Sequence, residues 1–264
     1  MGETPIPQYS LVRTLLIWAA AAGPMAALGW VVAPVLAHGG SPGFERQAVL
    51  GAGLAWQCLL VLILVRLEAG RLSWAVLRDR LWLRGPSDPA TGVRRARTWF
   101  WLLPIIVLTA VFQLFLRAPV DHLFTTVFPA LSQPRGWDFG GMLATPQGRA
   151  ALAGRWDILA LFITTALFNT VVGEELLFRG LLLPRMSGVF GRWDWLANGM
   201  LFGLYHLHQP WGMPGSVITG VLCYALPSRV FRSSWFGIAA HSGQSVYLTI
   251  LILGLVLGFG PPGG

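Results

Sequence analysis

The chain has 264 residues, of which 55% are apolar and only 11% charged, with a mean hydropathy of +0.61. That balance excludes an ordinary water-soluble globule and points to an integral membrane protein. The formal charge of +8 arises from nineteen basic residues, all of them arginine, against eleven acidic ones, and in so apolar a chain the excess reads as a record of membrane orientation and not as a nucleic-acid surface.

Runs free of Asp, Glu, Arg and Lys mark the spans, since about 20 apolar helical residues cross a hydrocarbon core about 30 Å thick. The first three are Thr14 to Ala37, Gln47 to Val65 and Thr98 to Leu116. Val35-Leu36-Ala37 resembles a signal-peptide cleavage site, but the run exceeds a signal core of about 7 to 15 residues, so it is read as a retained span. A fourth run begins at Ile158 and meets Glu174 just after Gly173, which leaves its end open. Trp195 to Ser228 is too long for one span, and the turn-rich stretch from Gln209 to Gly215 divides it into two. A last span starts near Ser233 and fades at Gly258, ahead of a Gly- and Pro-rich tail read as disordered. The expectation is an all-α, polytopic bundle of seven to eight transmembrane helices around an intramembrane polar cavity, forming a single membrane domain over 1–264. Cys58 and Cys223 both fall in apolar segments and read as packing residues, not as a disulfide or zinc site.

Arginine positions set the orientation. The connection 66–97 holds eight of the nineteen and is assigned to the cytoplasm; alternation places fourteen on that side and leaves Arg46, Arg117, Arg135, Arg149 and Arg155 outside. The N-terminus is therefore expected in the cytoplasm, in a cell inner membrane, with 117–156 as an extracytoplasmic connection.

Of the eleven carboxylates only Glu174 and Glu175 fall where a charge is costly, at about 2.5 to 3.5 kcal/mol near mid-bilayer. Arg179 lies four residues after Glu175, one helical turn along the same face, and an ion pair there offsets part of the desolvation. Glu174 is rotated by about 100° and stays available for chemistry. The same residues also read as the charged end of the fourth span, with Arg179 as a positive-inside residue. His206 and His241 sit in otherwise apolar spans, where a lone histidine is more often an interhelical contact than a ligand. Two of them beside a Glu pair match the requirements of a water-activating site, with imidazoles to polarise water or bind a metal and a carboxylate as base. His208 is read as an interface residue, and His38 and His122 fall in connections. Depth decides whether these groups meet: His206 lies about 17 Å and His241 about 9 Å from the cytoplasmic edge, and Glu174 reaches about 16 Å only if its helix continues to Arg185. That course requires a tilted or a broken helix, for which Gly173 offers a break point.

Glu174-Glu175-Leu176-Leu177-Phe178-Arg179, then Phe202 to His206, then His241 to Ser245 resemble, in order, the EExxxR, FxxxH and HxxxN/D motifs of the CAAX-protease and bacteriocin-processing family of intramembrane peptidases. The resemblance covers about 157–256. It implies peptide-bond hydrolysis inside the membrane, with Glu174 as general base, Glu175 a second essential carboxylate held by Arg179, and His206 and His241 polarising water or, with Glu175, binding a metal; zinc is an optional cofactor. Ser245 stands where the family carries Asn or Asp, and its single hydroxyl replaces an amide fork in oxyanion stabilisation. Gln244 is a substitute one residue away. The implied substrate is a peptide or membrane-tethered protein. Arginine-only usage fits a bacterial source, where prenylated substrates are not expected, so the natural substrate stays open. Two other readings remain: a non-catalytic immunity or scaffold protein of the same fold, which the Ser245 departure favours, and a proton-coupled transporter using the carboxylate pair as a relay, although no paired inverted repeats are seen.

Overall fold

The computed structural model describes residues 5–36 and 42–259; Ala37, His38 and the tail residues 260–264, on which parts of the sequence reading fall, lie outside them. The described residues form a helical bundle with no strands. Five helices are long and apolar enough to cross a membrane: α1 (Leu11–Leu36), α2 (Pro42–Ala69), α3 (Ala96–Val127), α4 (Trp156–Arg185) and α7 (Trp235–Val256). Two shorter ones, α5 (Asp194–Tyr205) and α6 (213–231), lie between α4 and α7. They are separated by the turn-rich stretch read from the sequence, which here runs as 3₁₀ turns at His206–His208 and Pro210–Gly212. This is the architecture of a multi-pass membrane protein.

Of the two courses the sequence left open, helix α4 takes the longer: it runs for 30 residues, about 45 Å, without breaking at Gly173, through Glu174 and on to Arg185. Its ladder widens to π-helical geometry at Phe168–Gly173 and Leu176–Leu182, a local adjustment frequently found at functional sites. Gly173 is needed for closeness, since a Cβ there would lie 2.1 Å from the Phe168 carbonyl oxygen and 3.0 Å from that of Leu54 on α2. The third span also runs further than read, its helix continuing to Val127 into the connection 117–156.

The C-terminal half of α4 is enclosed on every side. Leu177, Phe178, Leu181 and Leu182 are fully buried, as expected of a helix that is apolar all round and surrounded by others. Helices α5 and α6 pack through small residues: a Cβ on Gly199 would lie 2.4 Å from Val221 Cα, and one on Gly203 would lie 2.7 Å from Val217 Cα. Such seams let backbones approach where lipid supplies no hydrophobic drive. Helix α3 stays at the periphery with most of its apolar surface outward.

The helix ends sort into two faces. On one, Arg185 at the end of α4 bonds Glu68 at the end of α2 at 2.7 Å and donates to the Arg80 carbonyl at 3.0 Å, while Tyr9 and Arg13 at the start of α1 also reach Glu68. Burial pushes the Tyr9 phenol above its ordinary range. On the other face, Trp30 donates to the Leu207 carbonyl at 2.8 Å, and the Arg46 guanidinium donates to the His208 carbonyl at 2.5 Å and lies over the rings of Trp137 and Trp211. The Arg185–Glu68 pair is nearly inaccessible, so removing one partner strands a buried charge. Glu68→Ala is expected to lower stability by about 3 kcal/mol or more, read as a fall in the unfolding midpoint of the purified protein in detergent.

Candidate active site

Glu174, Glu175 and Arg179 on α4, His241 on α7 and His206 in the turn after α5 meet in the centre of the bundle, each at most 7% exposed. Arg179 donates to Glu175 Oε1 at 3.0 Å, the i,i+4 spacing read from the sequence. The same oxygen accepts from His241 Nδ1 on α7, also at 3.0 Å. Arg179 is further held by a 3.2 Å bond to the Gly220 carbonyl on α6 and by the face of Phe202 on α5, whose ring centre is 4.2 Å from the guanidinium carbon. Glu175 Oε2 has no partner among the described residues.

Glu174 is treated differently, although it is the next residue. In the orientation its neighbours require, the Asn169 amide donates to both Glu174 oxygens at 3.0 Å. The Tyr205 hydroxyl, beside Glu174, accepts from Gln57 at 2.6 Å. One carboxylate is thus balanced by a cation, the other bordered by neutral donors.

Each histidine has one ring nitrogen committed. His206 Nδ1 lies 2.9 Å from the Phe202 carbonyl, which can only accept, so Nδ1 carries the proton. His241 Nδ1 likewise donates to Glu175. In both rings Nε2 is left as the basic nitrogen, oriented by the bond made on the far side. Glu174, Asn169, His206 and His241 line one cavity of about 130 Å³, together with Arg117 and Gln244. That is room for several waters at a polar wall.

Ser245 is not brought to this cavity. It lines an apolar groove between α4 and α7, with Thr170, Ser242 and Val246, while Gln244 faces the cavity and accepts from Gln113 at 2.7 Å. One residue turns the side chain by about 100°, enough to move it from one side of α7 to the other.

The set Glu175, His206 and His241 does not fit a metal ion. Glu175 Oε1 is already shared by two N–H donors, its neighbour Arg179 is a cation, and Glu175 does not reach the cavity wall. Among the described residues no group of three or more His, Cys, Asp or Glu side chains is placed to hold a metal.

Four neighbours were not singled out by the sequence reading: Asn169, Gln57, Tyr205 and Tyr224. Asn169 is five residues before Glu174, a spacing that shares a face in a π-helical turn and not in an α-helical one. Tyr224 is 1% exposed, stacks on His241 with centroids 4.7 Å apart, lines the cavity, and its hydroxyl has no partner among the described residues.

The pocket around Glu175 leaves no room opposite Gly237, where a Cβ would lie 2.4 Å from Glu175 Oε2 and 3.0 Å from Ser228 Oγ. Gly237→Ala is expected to destabilise the protein by about 1 to 3 kcal/mol and to disturb the Glu175–His241 bond, seen as a lower melting midpoint and an altered His241 imidazole resonance.

Residues 155–247 match the family described as type II CAAX prenyl endopeptidase, Rce1-like. No curated protein and no solved structure matches the chain.

Proposed function

We propose, from the match of residues 155–247 to the Rce1-like family of type II CAAX prenyl endopeptidases, that the chain hydrolyses a peptide bond within the membrane using water activated by Glu174. The observation that carries this reading is the division of labour between adjacent carboxylates: Glu175 is spent on Arg179 and His241, whereas Glu174 faces a polar cavity with two basic imidazole nitrogens on its wall.

In the proposed sequence a water in the cavity is held by Glu174 and by Nε2 of His206 or His241. Glu174 takes one proton as the water oxygen attacks the carbonyl carbon of the substrate. The C=O π pair moves to the oxygen, giving a tetrahedral oxyanion. Glu174 then returns the proton to the amide nitrogen, the C–N bond breaks, and a carboxylic acid and an amine leave. The Asn169 amide keeps the Glu174 oxygens in place for both transfers. Glu175, through Nδ1 of His241, fixes the tautomer that presents Nε2. No step is assigned to a metal, because the donor set does not fit one.

The oxyanion needs a donor, and Ser245 points elsewhere. Tyr224 supplies the best candidate, a buried hydroxyl on the cavity wall with its hydrogen-bonding capacity unspent. The substrate class in this reading is a peptide or membrane-tethered protein, with entry from the bilayer.

Cleavage of a panel of membrane-tethered peptides by the purified protein tests the reading. Glu174→Gln and His206→Ala are expected to abolish turnover, and cleavage that survives both would sink the mechanism. Tyr224→Phe is expected to lower kcat by about 100-fold or more with little change in KM, the cost of losing one oxyanion donor. Treatment with a strong chelator, verified by metal analysis, is expected to leave turnover unchanged.

A further inference from the structure

Arg117 reads from the sequence as an extracytoplasmic arginine, yet its side chain stands on the wall of the cavity that holds Glu174. It belongs to α3, outside the residues that match the family. Three contacts fix it. Its Nη2 donates to Ser216 Oγ on α6 at 3.2 Å, its Nε pairs with Asp121 one turn on at 3.4 Å, and its Nη1 donates to Gln113 Oε1 one turn back at 3.2 Å. Asp121 is itself tied to α6, accepting from the Gly215 N–H at 2.9 Å. The two helices approach closely here: a Cβ on Gly215 would lie 2.9 Å from Arg117 Cγ and 3.0 Å from Asp121 Oδ1. Arg117 is thus anchored on the α6 side, with one N–H left to act along α3.

A guanidinium can only donate, so the Gln113 oxygen must face Arg117 and the Gln113 NH2 must face away from it. There it donates to Gln244 Oε1 on α7 at 2.7 Å. The oxygen of Gln244 is therefore the atom spent on Gln113, and its NH2 group is left over. No acceptor for that group is found among the described residues, and Gln244 lines the cavity. Two amides that could each lie either way round are in this manner oriented by one cation. The free NH2 also stands where a donor is useful. Gln244 follows His241 by three residues, about one turn along α7, and Tyr224 of α6 stacks on the His241 ring and lines the same cavity.

We propose that Gln244 is a second catalytic donor to the carbonyl oxygen of the scissile bond, and that Arg117, acting through Gln113, is the positioning residue that presents its N–H. This rests on the hydrolysis proposed for Glu174. As the water oxygen bonds to the carbonyl carbon and the C=O π pair moves onto the carbonyl oxygen, Gln244 Nε2–H donates to that oxygen from α7 while the Tyr224 hydroxyl donates from α6. Neither gives up its proton. Donors fixed before the charge develops need no reorganisation when it does. An unheld glutamine could turn its own oxygen toward the oxyanion and repel it, and the relay from Arg117 prevents that. Helix α3, otherwise peripheral, thereby contributes to catalysis without touching the substrate.

The test measures kcat and KM of the full chain in detergent on a membrane-tethered peptide that it cleaves, with melting midpoints to confirm folding. Gln244→Ala is expected to lower kcat by about 100-fold with little change in KM, and Ser245→Ala, on the groove side of α7, to keep the kcat of wild type. Gln113→Glu separates orientation from support. The glutamate keeps its bond to Arg117 but has no N–H for Gln244, so it accepts from the Gln244 NH2 and turns the Gln244 oxygen toward the substrate. Its kcat is expected to fall by about 100-fold, whereas Gln113→Leu, which leaves the amide free to rotate, loses only about tenfold. Arg117→Met is expected to lose about tenfold as well, and Arg117→Lys, which still donates to Gln113, to recover most of that. In a Gln244→Ala background the Gln113→Glu change is expected to cost nothing further, because it acts only through the missing amide. The proposal is overturned if Gln244→Ala keeps the kcat of wild type, if Ser245→Ala lowers kcat in its place, if Gln113→Glu is no slower than Gln113→Leu, or if the Gln113→Glu loss adds to that of Gln244→Ala. In each of those cases Glu174→Gln still abolishes cleavage and the hydrolytic reading stands. A wild type that cleaves no peptide, or cleavage that survives Glu174→Gln, removes that reading and this proposal with it.

Discussion

Glu175 has no exposed surface, and one of its oxygens accepts from both Arg179 and His241, each at 3.0 Å. An ionised carboxylate in such a place is tolerable only if the surroundings return what water would have given. The return comes from four helices at once. Arg179 rises from the same helix, is capped by the Gly220 carbonyl of α6 and lies on the Phe202 ring of α5, while His241 arrives from α7. The interaction is thus less a pairwise bond than a joint. Taking away any one contributor leaves a buried charge that the others cannot satisfy, so the relative placement of these helices is specified by electrostatics as well as by packing.

The same joint determines what Glu174 can do. Because Arg179 is turned to Glu175, the hydrogen-bond donor facing the neighbouring carboxylate is the neutral amide of Asn169. Neutral donors hold a carboxylate in position without the strong preference for its charged form that a guanidinium imposes. Two identical side chains, adjacent in the chain, are in this way assigned to different work by their surroundings. The π-helical stretches on either side of the pair contribute to this: by widening the turn they bring Asn169 onto the face of Glu174 while Arg179 remains on that of Glu175.

How much of this was legible in the sequence follows from which periodicities apply. The spans were readable because charge-free runs of bilayer length are long-range statistics that small errors do not disturb. The Glu175–Arg179 spacing was readable because it is an i,i+4 pair. Asn169 was hidden by assuming an α-helical period where the helix widens. In the sequence Gly173 can mark a break or a close approach, and only what packs opposite, here the Leu54 carbonyl of a neighbouring helix, distinguishes the two. Gln57, Tyr205 and Tyr224 belong to apolar stretches in which a single polar tip carries no signal until three helices are assembled. On α7 the motif register pointed to Ser245, and the helix turns Gln244 to the cavity in its place.

Arginine counting illustrates the opposite limit. The rule that assigns orientation needs only numbers, and it treats all fourteen arginines of the expected cytoplasmic set alike. The structure distinguishes them sharply. Arg179 and Arg185 are wholly buried and bind carboxylates, the first at the joint with Glu175 and the second between α4 and α2. Arg229 is half-buried against Asp194, and Arg232 is exposed on a left-handed backbone. An orientation signal would be equally strong if these positions were shuffled along their loops. Packing and hydrogen bonding would not survive the shuffle, because Ser233 and Ser234 clasp the α6 end to the connection after α2 through backbone carbonyls on either side of Trp82. The arginines read from the sequence as an orientation signal are therefore also a set of specific contacts.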